Sequence, residues 1–266
     1  MKELFIEKAH LFLKILDNRW KTSEDEVKGI LKLFEKYGID KNAKILEIGC
    51  GNGRIVINLA KRGYRVIGID ISPIFINDAK QKAKDYGVGD RVKFYVGDVR
   101  YLTKLLSDEE FDVILSIWTT LIGYYLNENI DVEILRQCRL VSKDSAYLFI
   151  LNTVNRDRIA LLTSIRCVGS FYSEIEDIVL IENPRFDPVK SIITNKWIFY
   201  RKEGKNLIYL DEVDFSLRVY SLHEIIRIAE AAGWSYIEAF SNLVSLEPFN
   251  PSFGGLNIVF RAKSNK

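Results

Sequence analysis

At 266 residues the chain is long enough for one elaborated domain or for two, and a composition of 48% hydrophobic and 28% charged residues with five prolines excludes global disorder. Its 38 basic and 36 acidic residues interleave to a net charge of +2, so no strong field is available for a polyanion and no nucleic-acid partner is expected. Three scattered cysteines, Cys50, Cys138 and Cys167, include no CxxC pair, which argues against a disulfide framework or a zinc cluster and for buried thiols in a reducing compartment.

In chain order, Phe5, Ala9, Phe12 and Leu16 recur at helical spacing. A second helix is expected from Ser23, where Ser23-Glu24-Asp25-Glu26 has the capping-box form, and Gly38 closes it. Residues 44–49 read as a buried strand, followed by Gly49, Gly51 and Gly53 and then a helix carried by Ile55, Val56, Leu59 and Ala60. The pattern repeats with a strand at 64–70, a helix opened by Ser72-Pro73, strands at 92–98 and 111–118, a helix over 128–140 and a strand at 146–152. Such alternation predicts a parallel sheet covered on both faces. From 153 to 220 the rhythm changes to long strand-like runs joined by short turns, an inserted antiparallel β-sheet, before a helix capped by Ser221 and Glu224 and strands near 236–241 and 255–263. The longest uncharged stretch, 113–127, contains Ser116, Thr119, Thr120 and Gly123 and is too short and polar to span a bilayer; Lys8 and Lys14 interrupt the N-terminal apolar residues. No membrane association or secretory signal is expected, and the location expected is cytoplasmic.

A strand that ends in a glycine-rich turn and opens a helix brings backbone N–H groups close to a ligand. The dinucleotide fingerprint G-x-G-x-x-G would place its third glycine where Arg54 stands, which disfavours a pyrophosphate. Asp70, at the end of the second strand, could accept from both hydroxyls of a ribose, although a nicotinamide cofactor would use that acid too. Asp98, after the third strand, could accept from an adenine amino group, with Ile71 and Val99 sandwiching the ring.

Together E-I-G-C-G-N-G, the acid of VIGIDIS, the acid of VGDVR, and FDVILSIW resemble the motifs of class I S-adenosylmethionine-dependent methyltransferases. The resemblance covers about 41–152 and 221–263. It implies a Rossmann-like α/β fold with a seven-stranded, mostly parallel sheet of order 3-2-1-4-5-7-6, its seventh strand antiparallel, and helices on both faces. Residues 41–152 and 221–266 would form the cofactor-binding core, 153–220 an inserted β cap on the substrate side, and 1–40 helices covering the cofactor. Carried over by position, Glu47, Gly49, Cys50, Gly51, Asn52 and Gly53 would line the methionyl end of S-adenosylmethionine, Asp70 the ribose, and Asp98, Val99 and Arg100, with Ile71, the adenine. Ser116, Ile117 and Trp118 would face the sulfonium, and Arg19 with Trp20 would cover the cofactor and meet its carboxylate, which a guanidinium can pair bidentately.

The donor of such a transfer is already activated, so positioning and water exclusion are what the protein must supply, and no metal is expected. The two histidines, His10 and His223, show no ligand spacing; His223 sits within a capping box, where a surface role and a general-base role are both open. Thr119, Tyr124 and Tyr125, after the fourth strand, could orient an amine or hydroxyl, and no [DN]PP[YF] motif stands there. The insertion carries ten basic and ten acidic residues and is rich in aromatics, similar to the β caps of small-molecule methyltransferases. The expected function is therefore methyl transfer to a small acceptor, nitrogen slightly preferred over oxygen, by a monomer or homodimer. The competing readings are an RNA or protein methyltransferase and a non-catalytic protein that binds S-adenosylmethionine.

Overall fold

The computed structural model describes residues 2–118, 122–165 and 169–263; Thr119, Arg166 and Cys167 lie outside the described residues. A π-helical turn, Glu3–Glu7, precedes α1 (Ala9–Arg19), and a 3-10 turn, Trp20–Thr22, leads into α2 (Ser23–Lys36). The expected alternation follows as β1 (Lys44–Ile48), α3 (Arg54–Ala60), β2 (Arg65–Asp70), α4 (Pro73–Asp85), β3 (Val92–Val96), the short α5 (Leu102–Leu105), β4 (Phe111–Ile117), α6 (Glu128–Leu140) and β5 (Ser142–Thr153). The insertion comprises α7 (Arg156–Ser164) and four strands, β6 (Phe171–Ile175), β7 (Ile178–Asp187), β8 (Ile192–Glu203) and β9 (Asn206–Arg218). The chain then returns through α8 (Leu222–Ala231), β10 (Trp234–Phe240) and β11 (Leu256–Ala262).

The main sheet has the order β3-β2-β1-β4-β5-β11-β10, with β11 antiparallel to both neighbours, and the insertion forms a separate antiparallel sheet, β6-β7-β8-β9. This is the seven-stranded order expected. The order reverses between β1 and β4, so the crevice beyond their carboxyl ends is the place for a ligand. One apolar layer joins the main sheet to α6 and α8, a second joins it to α2, α3 and α4, and a third lies between the N-terminal segment and the cap sheet. Full burial of side chains such as Phe34, Phe111 and Phe149 contributes about 1.5–3 kcal/mol each.

Two local expectations fail for identifiable reasons, and two elements were not expected. The first helix is interrupted at Lys8, whose ammonium leaves the helix line to bind the Asp211 carboxylate and the Glu212 carbonyl of β9. The capping box at Ser23 does not form: Ser23 Oγ donates to the Trp20 carbonyl, 2.7 Å, and Glu26 pairs with the buried Arg54 guanidinium instead of returning to the helix start. Helix α7 and strand β6 have too weak a pattern to stand out in the sequence. At α8, by contrast, the box is complete, with the Ser221 N–H donating to Glu224 at 2.9 Å.

The loop between β4 and α6 is clamped to the end of the cap. Gly123, at φ +95°, accepts from the Arg218 N–H at 3.0 Å, and a Cβ there would stand 2.2 Å from the Arg218 carbonyl oxygen. Asp131, fully buried on α6, accepts from the Gly123 N–H at 3.0 Å and from the Tyr220 hydroxyl at 2.5 Å. Asp131→Ala leaves both donors buried and unpaired and is expected to cost about 2–4 kcal/mol, measured as a lower midpoint in urea with an unchanged slope; a midpoint equal to that of the parent protein would show that this clamp holds nothing.

Candidate cofactor and acceptor pocket

A pocket of about 210 Å³ opens over the carboxyl ends of β1, β2 and β4. Its floor is the glycine turn: Gly49, Gly51 and Gly53 have φ of +66°, +54° and +78°, a left-handed run that residues with a Cβ resist. Gly49, Cys50 and Gly51 reach the pocket wall, whereas Gly53 does not. A Cβ at Gly53 would lie 3.0 Å from both Ala79 and Phe94, so this glycine serves the packing of α3 against α4 and β3. Asn52, also absent from the wall, donates to Asp17 at 2.9 Å and so ties α1 to the turn.

Three carboxylates stand around this floor. Asp70 accepts from the Gly51 and Ser72 N–H groups, each at 2.9 Å, and its pKa is pushed up to about 6 by burial, against the pull of those backbone bonds. Glu47 lies beneath the turn, where burial holds its carboxyl well above the usual range while the Val56 N–H donates to it; its second oxygen has no partner among the described residues. Asp98 is held below the usual range because the forked guanidinium of Arg100 outweighs the cost of burial. Arg100 itself is off the wall, 4.5 Å from the Tyr125 ring centroid, and the Tyr125 hydroxyl lies 3.5 Å from Asp98. Ile71 and Val99 line the pocket between the acids, and Ile117 and Trp118 line it from β4; Ser116 does not.

The roof differs from expectation. Leu4, Phe5, Phe12 and Leu16 cover the floor, and Leu16 Cδ1 would stand 3.1 Å from a Cβ on Gly51. Trp20 is stacked on Tyr86 at 5.6 Å, away from the pocket, and Arg19 lies flat on Trp118, 3.7 Å from its ring centroid and 4.0 Å from Glu26. The structure therefore brings neither Arg19 nor Trp20 to the wall. His223 is exposed on the first turn of α8 and its Nδ1 stands 3.1 Å from Ser221 Oγ, so the position proposed for a general base is outside the pocket. Tyr124 and Tyr125 both line it, with Phe5 edge-on to Tyr124 at 5.4 Å.

Arg54 was visible in the sequence only as a missing glycine. It lines the pocket at 5% exposure, paired with Glu26, and burial lowers its pKa to about 9, helped by the neighbouring charge of Arg19. Trp197, Phe215 and Leu217 of the cap also reach the wall, a property of strand direction that no local signal announced.

A family profile described as "Methyltransferase domain" matches residues 39–178. The chain belongs to the methyltransferase domain family. Its fold is that of the class I S-adenosylmethionine-dependent enzymes, as comparison with solved structures shows. A ubiquinone biosynthesis O-methyltransferase of Coxiella burnetii is 30% identical over 142 residues, 53% of this chain and 56% of that protein. The chain spans about half the length, or less, of the curated relatives it matches. An S-adenosylmethionine-dependent methyltransferase from Clostridium acetobutylicum superposes with a TM-score of 0.77 at 12% identity over 96% of this chain and 99% of the other. CalS10, an amino pentose methyltransferase from Micromonospora echinaspora, superposes with a TM-score of 0.68 at 15% identity over 95% and 97%.

In this methyltransferase-family chain the Glu26–Arg54 pair puts its guanidinium on the pocket wall and its carboxylate behind it, so its loss has a measurable sign. Arg54→Ala leaves the buried Glu26 carboxylate, among the described residues, with only Asn152 and the more distant Arg19 and is expected to cost about 3 kcal/mol, whereas Glu26→Ala with Arg54→Ala is expected to cost less than the sum of the two single changes. Thermal unfolding of Arg54→Ala, Glu26→Ala and the double variant checks this; a double loss equal to the sum of the two single losses would show that the pair is not coupled.

Proposed function

We propose that the chain is a methyltransferase that binds S-adenosylmethionine in this pocket and transfers its methyl group to a small acceptor beneath the cap, with nitrogen slightly preferred over oxygen as the nucleophile. The convergence of the glycine turn, Asp70 and Asp98 on one wall carries this reading. Bare backbone at Gly49 and Gly51 accepts a close ligand, Asp70 has lone pairs left for two ribose hydroxyls, and Ile71 and Val99 leave an apolar slot that ends at Asp98. The unpartnered oxygen of buried Glu47 fits a cationic or donor-rich ligand end, and Arg54, on the same wall, fits a carboxylate. Bound there, the sulfonium supplies an activated methyl, so that an acceptor lone pair forms the new bond as the carbon–sulfur bond breaks with its pair going to sulfur. The chain's own part is to hold the two on one line and exclude water, for which the roof of Phe5, Phe12 and Leu16 and the cap residues Trp197 and Phe215 are suited. The O-methyltransferase relative and the amino pentose methyltransferase neighbour support a small acceptor.

Asp70 makes this testable by pH. Its raised pKa means that the free protein holds a proton on Asp70 below about pH 6, a contribution to stability lost as pH rises through that value. Ribose hydroxyls donate to the ionised form, so ligand binding opposes that proton. Calorimetry with S-adenosylhomocysteine is expected to show affinity rising about tenfold from pH 5 to pH 7 and flattening above. Asp70→Asn should weaken binding by about 1.5–3 kcal/mol and remove the pH dependence. Absence of binding at pH 7 would sink the proposal, and an unchanged affinity in Asp70→Asn would move the ribose elsewhere.

A further inference from the structure

The charged side chains on the pocket wall, Glu47, Arg54, Asp70 and Asp98, all belong to its cofactor side. Toward the cap the wall is aromatic. Phe12 lies parallel to Trp197, with centroids 5.7 Å apart and planes at 4°, and Trp118 stands 6.0 Å from Phe12 at 29°. Phe215 meets Trp197 edge-on at 5.0 Å. Leu217 and Tyr124 complete this end.

The balance of ten positive and ten negative charges in the insertion could still have concealed a charged inner face, because side chains alternate along each strand. Register resolves the matter at the centre of the sheet. Trp197 pairs with Val213 on the inner face, while Lys196 pairs with Asp214 on the opposite one and reaches Glu212 at 2.6 Å. Glu182, paired with Trp197, and Asn195, paired with Phe215, share that inner face, but neither reaches the pocket wall, and Asn195 Nδ2 donates to Glu182 at 3.4 Å.

We propose that the acceptor is an uncharged small molecule with an aromatic body, seated among Phe12, Trp118, Trp197 and Phe215 with its nucleophile toward Tyr124; this rests on the methyltransferase reading above. A charged acceptor would lose its hydration against rings, because Glu182 on the inner face and Arg19 on Trp118 both lie off the wall, and a polyhydroxylated one would find few partners there beyond the buried Trp197 Nε1–H and the Tyr124 hydroxyl. Flat rings meet the wall on their own terms, stacked or edge-on. The nucleophile must also part with its proton unaided. Burial and the nearby charge of Asp70 keep the Tyr124 hydroxyl protonated, and burial pushes Tyr125 up to about 12, so neither phenol is a ready base. A neutral aromatic amine satisfies this, because its lone pair attacks first and its proton leaves to water afterwards.

The test uses S-adenosylmethionine labelled in its methyl group, a low-mass cell extract, and separation of products between ethyl acetate and water. Labelled product is expected in the organic phase. Phe215→Lys, which places an ammonium on the aromatic wall, should lower that label by at least about tenfold, and Phe215→Leu, which removes the ring but keeps the wall apolar, should lower it by less. Both variants should bind S-adenosylhomocysteine as the parent does, which shows them folded. Product label confined to charged or polyhydroxylated compounds in water, or equal labelling by Phe215→Lys and the parent, would overturn the aromatic acceptor and leave the methyltransferase reading standing. Failure of the parent protein to bind S-adenosylhomocysteine would instead remove that reading and this one together.

Discussion

The hydrogen bond from the Gly51 N–H to Asp70 is the point on which the pocket depends. It joins the turn after β1 to the end of β2 at the place where the strand order reverses, and the Cys50 N–H adds a second link to the Ile69 carbonyl at 3.0 Å. The turn can lie so close to β2 only because its glycines accept left-handed φ values without a Cβ to obstruct them. From this junction the rest follows in layers. Glu47 takes up a free N–H of the first turn of α3, Leu16 of α1 settles on Gly51, and the apolar residues beyond Asp70 and Asp98 are left facing a common space.

Such a junction buries acids, and the structure treats them in different ways. Asp70 receives backbone N–H groups yet remains easier to protonate than a free carboxylate, while Asp98, nearer solvent, is held ionised by Arg100. Glu26 and Arg54 form a buried pair with Arg54 on the wall and Glu26 behind it. Each arrangement lowers the penalty of desolvation by a separate route, namely backbone dipoles, a forked ion pair at the rim, and a closed pair inside. The acids differ accordingly in how readily they can exchange partners with a ligand, and Asp70 is the one whose proton state a ligand can shift near neutral pH.

The roof is held by polar ties at its edge and apolar contacts at its centre. Lys8 binds Asp211 of the cap, and Asp17 receives both Asn52 of the turn and Lys82 of α4. Between these ties, Phe12 stands among Trp118, Trp197 and Phe75. Rings packed this way exclude water without presenting a fixed pattern of donors and acceptors, which suits a site where shape does most of the selecting.

Local chemistry in the sequence was enough for the core of this fold. Apolar runs ending in glycine or aspartate mark β1, β2 and β3, helical periods mark α2 and α4, and strand ends are directed at the crevice by sheet topology, so Asp70, the last residue of β2, and Asp98, two residues beyond β3, could be placed from their positions alone. Side chains with several available partners were not legible in the same way. Glu26 had a capping site three residues away and took Arg54, which is distant in sequence; Arg19 took the face of Trp118; His223 stayed beside Ser221 on the surface. Which of two competing partners a long side chain meets depends on where the packed elements bring them, and that information is absent from local spacing. The same holds for the wall of the cap. Alternation showed that Val213, Phe215 and Leu217 share one face, but only the register of β8 and β9, and the docking of that sheet over α1, decided that the face looks into the pocket.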